Sequence, residues 1–166
     1  GGFAEYVRVP EINVDRGISI LPDNMSLEDG TFIEPLACVV RGQRVARIEP
    51  GQTVVVIGSG MSGLLHILLA RSLGAGKIIA TDISEFRMEM AKKFGADSVI
   101  SAHDDLPSHL LKVNNNRLAD RVILTAGADS ALDTAMKSVD RAGTILYFAP
   151  GGPETTLNVP FNEFWK

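Results

Sequence analysis

Three glycines, Gly58, Gly60 and Gly63, follow an apolar segment at a spacing that suits the binding of a pyrophosphate. Gly58 would permit a tight turn, Gly60 would let the backbone approach the phosphates, and Gly63 would let the next helix pack closely on the preceding strand. Backbone amides at the start of that helix would then face the negative charge, and the helix dipole would favour it. We therefore predict a dinucleotide site with contacts from Gly58, Gly60, Met61, Ser62 and Gly63.

Asp82, which lies 19 residues beyond Gly63, would bind another part of the same ligand. A carboxylate at the end of the second strand would accept hydrogen bonds from both hydroxyls of a ribose, and its charge would repel a 2′-phosphate. Ile83 offers no cation to offset that repulsion. The predicted cofactor is therefore NAD rather than NADP. Arg87 either pairs with Asp82, reaches a phosphate or lies on a solvated helix face, and the sequence leaves these alternatives open.

Buried strands that alternate with helices would position these residues. Apolar segments predict strands at residues 53–57, 77–81, 98–101, 121–125 and 144–149, and helices are predicted at 62–73, 84–94, 104–113 and 130–139. This alternation is typical of an α/β protein with a parallel sheet covered on both faces. Right-handed crossovers give the order 3-2-1-4-5 of a Rossmann doubly wound sheet, and we expect its last strand to be missing.

Residues 1–48 have a different pattern, and we predict that they belong to another domain than residues 49–166. Residues 3–9 alternate between apolar and polar side chains, and residues 17–21 form a second short extended segment. Both predict a short N-terminal β segment at the edge of a neighbouring domain. Residues 32–45 carry apolar side chains at helical spacing, which predicts a helix that links the two domains.

The composition argues against several classes of function. The 166 residues include 16 Lys and Arg against 20 Asp and Glu, and this net charge of −4 does not favour a nucleic-acid or membrane partner. The single cysteine, Cys38, excludes an internal disulfide and a multi-cysteine zinc site within this chain. No apolar segment approaches the roughly 20 residues that a membrane span needs. We expect a cytoplasmic protein that binds small molecules.

Other interpretations of the glycine turn stay open at this point. The glycines could form turns in another kind of α/β protein, with Asp82 capping the next helix. A methyltransferase has a similar sheet and also places an acid on the second strand to hold a ribose. The domain could also be a nucleotide-binding module that responds to NAD without catalysing a reaction. A hydrolase has no support, because the sequence contains no HExxH segment and no Ser/His/Asp order.

Four longer segments carry a more specific signal. They are GGFAEYV at the start of the chain, IEPLACVVRG at 33–42, PGQTVVVIGSGMSG at 50–63 and TDISEFRMEMAKKFGAD at 81–97. In order and spacing these segments resemble the zinc-dependent medium-chain dehydrogenases, related to alcohol dehydrogenase, and especially the branch with sorbitol and threonine dehydrogenases. The resemblance covers nearly the whole chain. It disfavours a methyltransferase, which has no reason to carry the residues before Gly51.

The resemblance implies an oxidoreductase that transfers a hydride between NAD and a secondary alcohol or polyol, with zinc polarising the substrate oxygen. Members of this family are longer, and they hold zinc through residues near the start of the full chain. This chain therefore resembles a fragment with the cofactor domain, and we expect it to be inactive and metal-free by itself. One zinc-ligand position matches Glu34, 17 residues before Gly51. Cys38 is expected to be a small buried core residue instead of a ligand.

The resemblance also assigns residues near the nicotinamide. Thr125, Ala126 and Gly127, at the carboxyl end of the fourth strand, and residues 148–150, at the end of the fifth, lie where the family lines that side of the cofactor. His66, in the helix after the glycine turn, is expected to be a packed residue. A homo-oligomer is implied as well, because family members commonly pair through the last strand of the sheet.

Overall fold

A parallel sheet and seven helices make up the part of the chain that the computed structural model describes, residues 4–152, 154–156, 159–160 and 162. The strands are β1 (Thr53–Ile57), β2 (Lys77–Asp82), β3 (Ser98–Ser101), β4 (Ala119–Leu124) and β5 (Val139–Tyr147). The helices are α1 (Glu11–Gly17), α2 (Leu27–Gly30), α3 (Ile33–Ala46), α4 (Met61–Ser72), α5 (Glu85–Lys93), α6 (Leu106–Val113) and α7 (Asp129–Ser138).

The sheet has the order β3-β2-β1-β4-β5, and all of its strand pairs are parallel, which confirms the predicted Rossmann topology. The central strand β1 is buried along its whole length. Its last residue, Ile57, pairs with Thr81 on one side and with Leu124 on the other. The residues that follow these three strands therefore meet at one edge of the sheet, where ligands of such folds bind.

Successive residues of the strands point to opposite faces of the sheet, and each face carries its own core. Helices α6 and α7 cover one face, where the buried residues include Val55, Ile57, Leu106, Leu110, Val122 and Ala135. Helices α4 and α5 cover the other face, where they include Val54, Val56, Ile67, Ile78, Ala91 and Ile123. The central strands are buried on both faces, and this explains why the sequence shows continuous apolar runs and not an alternating pattern.

The predicted strands and helices of this region are confirmed, and most of their ends agree within two residues. The exception is β5, which begins at Val139 instead of residue 144. Its early part includes the exposed residues Arg141 and Ala142 and contains an irregularity in its pairing with β4. Ala142 also has a φ of 57°, a conformation that few non-glycine residues adopt. A prediction based on apolar runs misses this segment because the polar residues Asp140 and Arg141 and the exposed Ala142 follow directly after Val139.

The predicted N-terminal β segment is wrong for the described residues. Residues 4–10 and 18–21 form no strand, and the chain between them folds into α1. Strands need partners that satisfy their backbone hydrogen bonds, and the described part of the chain has no strand before Thr53 that could pair with these segments. Alternation of apolar and polar residues is therefore not enough to predict a strand in these segments. Residue 3 of the predicted segment lies outside the described residues.

The chain divides into two compact units, Gly1–Glu34 and Pro35–Lys166. The predicted helix at 32–45 is confirmed as α3. The domain boundary predicted after residue 48, and the assignment of the first part to a substrate domain, stay predictions.

The position of Cys38 on α3 corrects one expectation. The buried residues of this helix are Val39, Gln43 and Ala46, whereas Cys38 is exposed. Neighbouring residues of an α-helix lie about 100° apart around its axis. Cys38 therefore lies away from the buried stripe that begins at Val39, and the prediction of a buried core cysteine is wrong. No helix among the described residues is long and apolar enough to cross a membrane.

Candidate cofactor site

The glycine turn leads from β1 into α4, and its glycines have three different environments. Gly58 has a φ of 93°, in the left-handed region that favours glycine, and its N–H donates to Thr81 O at 2.8 Å. A Cβ on Gly63 would lie 2.0 Å from Gly58 O, so the close approach of α4 to this turn requires glycine. A Cβ on Gly60 would meet no atom within 4 Å. The environments fit the assigned roles of a turn, a close packing contact and an open approach for a ligand.

Helix α4 begins without a side-chain cap, in contrast to α5 and α6. Its N-cap residue is Gly60, and the first helical hydrogen bond at this end runs from Leu64 N–H to Gly60 O at 2.9 Å. The amides of Met61, Ser62 and Gly63 come before that bond, so the helix supplies no acceptor for them. A pyrophosphate would satisfy such donors and would be favoured by the helix dipole.

Asp82 is buried at the carboxyl end of β2, with 5% of its surface exposed. Its Oδ2 accepts the N–H of Ser59 at 2.7 Å, and its Oδ1 accepts the N–H of Ser84 at 2.9 Å. The carboxylate thus fastens the glycine turn and the start of α5 to the same strand end. Each carboxylate oxygen has about two acceptor positions, and each of these amides uses one of them.

Arg87 and Ile83 lie next to this carboxylate in different ways. Arg87 Nη1 is 3.8 Å from Asp82 Oδ2, while the Arg87 side chain is 55% exposed. Of the three alternatives for Arg87, the structure therefore contains the pairing with Asp82, and in water such a contact contributes little to stability. Ile83 is 71% exposed and carries no charge. Arg87 consequently places an exposed cation beside Asp82, within reach of a phosphate.

Ala126 and Gly127 line a cavity of about 570 Å³ at the same edge of the sheet. The other wall follows β5 and includes Tyr147, Phe148 and Pro150. Gly127 lies close to this wall, because a Cβ on it would be 3.3 Å from Pro150 O. Most of the lining side chains are apolar, and the volume lies within the range of small-molecule pockets.

His66 lies fully buried in α4, as expected for a packed residue. The Gln43 amide donates from Nε2 to His66 Nδ1 at 3.1 Å and to His66 O at 2.8 Å, and this places the ring proton on Nε2. Burial lowers the pKa of His66 to about 4, so the ring is neutral near pH 7. Its plane is almost perpendicular to the ring of Phe148, with 4.6 Å between the centroids. Gln43 and His66 thus connect α3 and α4 to Phe148, which lines the cavity.

A zinc site does not emerge from the described residues. They contain no group of three or more His, Cys, Asp or Glu side chains that could hold a metal ion. Glu34 lies exposed in the first turn of α3, where an acidic residue is favoured by the helix dipole. The described residues therefore fit a dinucleotide but do not by themselves fit a zinc ion.

Comparison with known proteins decides the family. The family model described as zinc-binding dehydrogenase matches residues 63–166, which is more than half of the chain. The chain belongs to the zinc-binding dehydrogenase family. This result confirms the resemblance found in the sequence, and it makes the methyltransferase interpretation wrong.

Individual relatives support the same assignment. Sorbitol dehydrogenase from Bacillus subtilis is 34% identical over 163 residues, which cover 97% of this chain and 45% of that protein. The structure of galactitol-1-phosphate dehydrogenase from Escherichia coli superposes with a TM-score of 0.78 at 29% identity, over 99% of this chain and 46% of that one. A protein from Sinorhizobium meliloti 1021, crystallised bound to NADP, gives 0.81 at 25% identity, over 87% and 43%. The chain thus spans a little under half the length of these zinc-binding dehydrogenase relatives.

Two residues hold the turn through bonds that the sequence does not predict. Ser59 has no predicted role, and Thr125 is predicted only to lie on the nicotinamide side. Ser59 is fully buried and gives its N–H to Asp82, and the Thr125 hydroxyl donates to Gly58 O at 2.7 Å. In the sequence, Ser59 stands out as a small residue between two glycines. Thr125 stands out as a polar residue directly after an apolar strand. Neither signal identifies a hydrogen-bond partner, because both partners are distant in sequence.

Proposed function

We propose that this chain is the NAD-binding part of a zinc-dependent oxidoreductase that transfers a hydride between NAD and a secondary alcohol or polyol. The observation that carries the proposal is the Asp82 carboxylate, which is buried at the carboxyl end of β2 and accepts the Ser59 amide of the glycine turn. The family membership of the chain supports the reaction class. The sorbitol dehydrogenase of Bacillus subtilis supports a polyol as substrate.

Bound NAD would supply the carbon that accepts or donates the hydride. The residues of this chain would bind and orient it. Asp82 would accept the hydroxyls of the adenosine ribose, and the amides of Met61 and Ser62 would hold the pyrophosphate. The cavity beside Ala126 and Gly127 would receive the nicotinamide ring, and its apolar wall would exclude water from one side of it.

The remaining features of the intact protein belong to the same proposal. We place the zinc ligands mainly outside this chain, with Glu34 as the residue that corresponds to a ligand position. Residues 1–48 would be the last part of the substrate domain and the linking helix, and residues 49–166 would be the cofactor domain. We propose a homo-oligomer in the cytoplasm, with a small alcohol or polyol as substrate and without a nucleic-acid or membrane partner.

Titration calorimetry with NAD and NADP tests the cofactor. We expect NAD to bind about tenfold more tightly or better, because a 2′-phosphate would lie within a few ångströms of the Asp82 charge. Asp82→Asn removes that charge at nearly constant shape. It should weaken NAD binding and reduce the difference between the two cofactors.

Asp97→Asn is the matched control, since Asp97 Oδ2 also accepts a backbone amide, from Ile78 at 2.7 Å, but near the start of β2. This variant should keep the preference for NAD even if its melting temperature falls. Tighter binding of NADP than NAD by the unaltered protein would overturn the argument from Asp82. A protein that binds neither cofactor would overturn the proposed function. If NAD does bind, the coding sequence upstream decides between a non-catalytic module that responds to NAD and an enzyme, because an enzyme of this type requires the zinc ligands there.

A further inference from the structure

The hydroxyl of Thr125 lies within hydrogen-bond distance of the glycine turn. Thr125 follows β4 directly, and its Oγ1 is 2.7 Å from Gly58 O and 3.0 Å from Ile57 O. The Thr125 N–H separately donates to Ile57 O at 2.9 Å and so continues the pairing of β4 with β1. The backbone bond already joins the two strands at Ile57 O. The hydroxyl can therefore donate its hydrogen to Gly58 O, which is the nearer of the two carbonyl oxygens.

The same peptide unit is held at its other end by Asp82. Gly58 O and Ser59 N belong to one planar peptide group, in which the C=O and N–H point in opposite directions. The C=O accepts from Thr125 on the β4 side, and the N–H donates at 2.7 Å to Asp82 Oδ2 on the β2 side. Gly63 packs closely against the same carbonyl oxygen, since a Cβ on it would lie 2.0 Å away. The plane of this peptide is therefore fixed from both neighbouring strands.

We propose that Thr125 is a positioning residue for the pyrophosphate, acting through the orientation of the Gly58–Ser59 peptide. This inference rests on the proposed function, because it concerns the same cofactor. A peptide that rotated at this point would bring its carbonyl oxygen toward the phosphates and its amide away from Asp82. Both changes would oppose the binding of an anion. The Thr125 hydroxyl prevents the rotation by keeping Gly58 O directed at β4.

Thr125→Val removes the hydroxyl while keeping the branched shape of the side chain. We expect the dissociation constants of NAD and ADP to rise about fivefold, a size typical for the loss of one neutral hydrogen bond. Adenosine, which lacks phosphate, should bind as tightly as before. Thr125→Ser restores the hydroxyl and should restore ADP binding to within about twofold of the original protein.

Thr134→Val is the matched control. Thr134 is also half-buried, and its hydroxyl donates to a backbone carbonyl, Ser130 O, at 2.9 Å in α7. This variant should bind ADP and adenosine normally. Hydrogen exchange of the Ser59 amide gives a readout that needs no ligand, since Thr125→Val should speed that exchange whereas Thr134→Val should not.

The outcomes separate this inference from the proposed function. If the unaltered protein binds neither NAD nor ADP, the proposed function fails. If it binds them and Thr125→Val binds ADP equally well, Thr125 does not position the turn. Equal losses of ADP and adenosine affinity, or a Thr125→Ser variant as weak as Thr125→Val, would assign Thr125 a general structural role and overturn the proposal. If Thr125→Val does not fold, Thr125→Ser still tests the hydroxyl. It should match the original protein in ADP affinity and in Ser59 exchange, and weaker ADP binding or faster exchange would contradict the proposal.

Discussion

Gly63→Ala should destabilise the fold severely, because the added Cβ has no space. It would lie 2.0 Å from Gly58 O, 3.0 Å from Gly58 C and 3.2 Å from Thr125 Oγ1. Atoms in normal contact lie about 3.5 Å apart, so α4 would have to move away from the turn by more than about 1 Å. The Gly58 carbonyl cannot easily give way, since Thr125 holds it at 2.7 Å.

The cost of this movement exceeds that of ordinary overpacking. We expect a loss of about 3 kcal/mol or more in the free energy of unfolding, and a melting temperature lower by roughly 10 °C for a chain of this size. Urea unfolding followed by far-ultraviolet circular dichroism measures the first quantity, and a thermal scan measures the second.

Gly60→Ala is the internal control for this prediction. A Cβ there would meet no atom within 4 Å, and the backbone φ of −70° suits alanine. We expect a loss of less than about 1 kcal/mol, due to the poorer N-cap, together with weaker NAD binding because the methyl group occupies the approach of the phosphates. A Gly63→Ala protein as stable as the original, or a Gly60→Ala protein as unstable as Gly63→Ala, would refute this account of the turn.

Two further predictions concern groups outside the turn. His66 has its pKa lowered to about 4 by burial. The unfolded chain therefore binds a proton below about pH 6.5 that the folded protein takes up only near pH 4, so stability should fall by about 3 kcal/mol as the pH drops through this window. Chemical unfolding between pH 7 and 4 measures it, and a His66→Gln variant with an equally steep loss would contradict this origin. Arg71 donates to Gly95 O at 2.8 Å and to Asp97 Oδ2 at 2.6 Å, so Arg71→Ala should cost about 2 kcal/mol in urea unfolding, and Arg71→Lys less. An unchanged midpoint for Arg71→Ala would contradict that contribution.

The sheet was predictable because burial on both faces leaves a strong local signal. β1 and β2 contain the apolar runs 54–57 and 78–80, and Gly58 and Gly95 follow the ends of β1 and α5 at the expected points. Each of these signals depends on a few neighbouring residues. The order of the strands then follows from the handedness of the crossovers.

The predictions that failed depended on distant contacts. Alternation in residues 3–9 suggests a strand, but a strand exists only where another strand pairs with it. Cys38 and Val39 are adjacent and similar in polarity, yet which of them is buried depends on what packs against α3.

The candidate site was predictable only in part for the same reason. Asp82 was identified from its distance to Gly63. Its bond to Ser59, and the bond of Thr125 to Gly58, join elements whose meeting cannot be read from local sequence.

The attachment of Asp82 to both Ser59 and Ser84 has an evolutionary consequence. A lineage under selection to use NADP would gain from losing this carboxylate, yet the same change removes the acceptors of two backbone amides. Replacing Asp82 alone would remove the repulsion of the 2′-phosphate, but it would also leave the glycine turn less firmly held. A switch of coenzyme in this scaffold should therefore require at least two substitutions, with the one that secures the Ser59 amide arriving first.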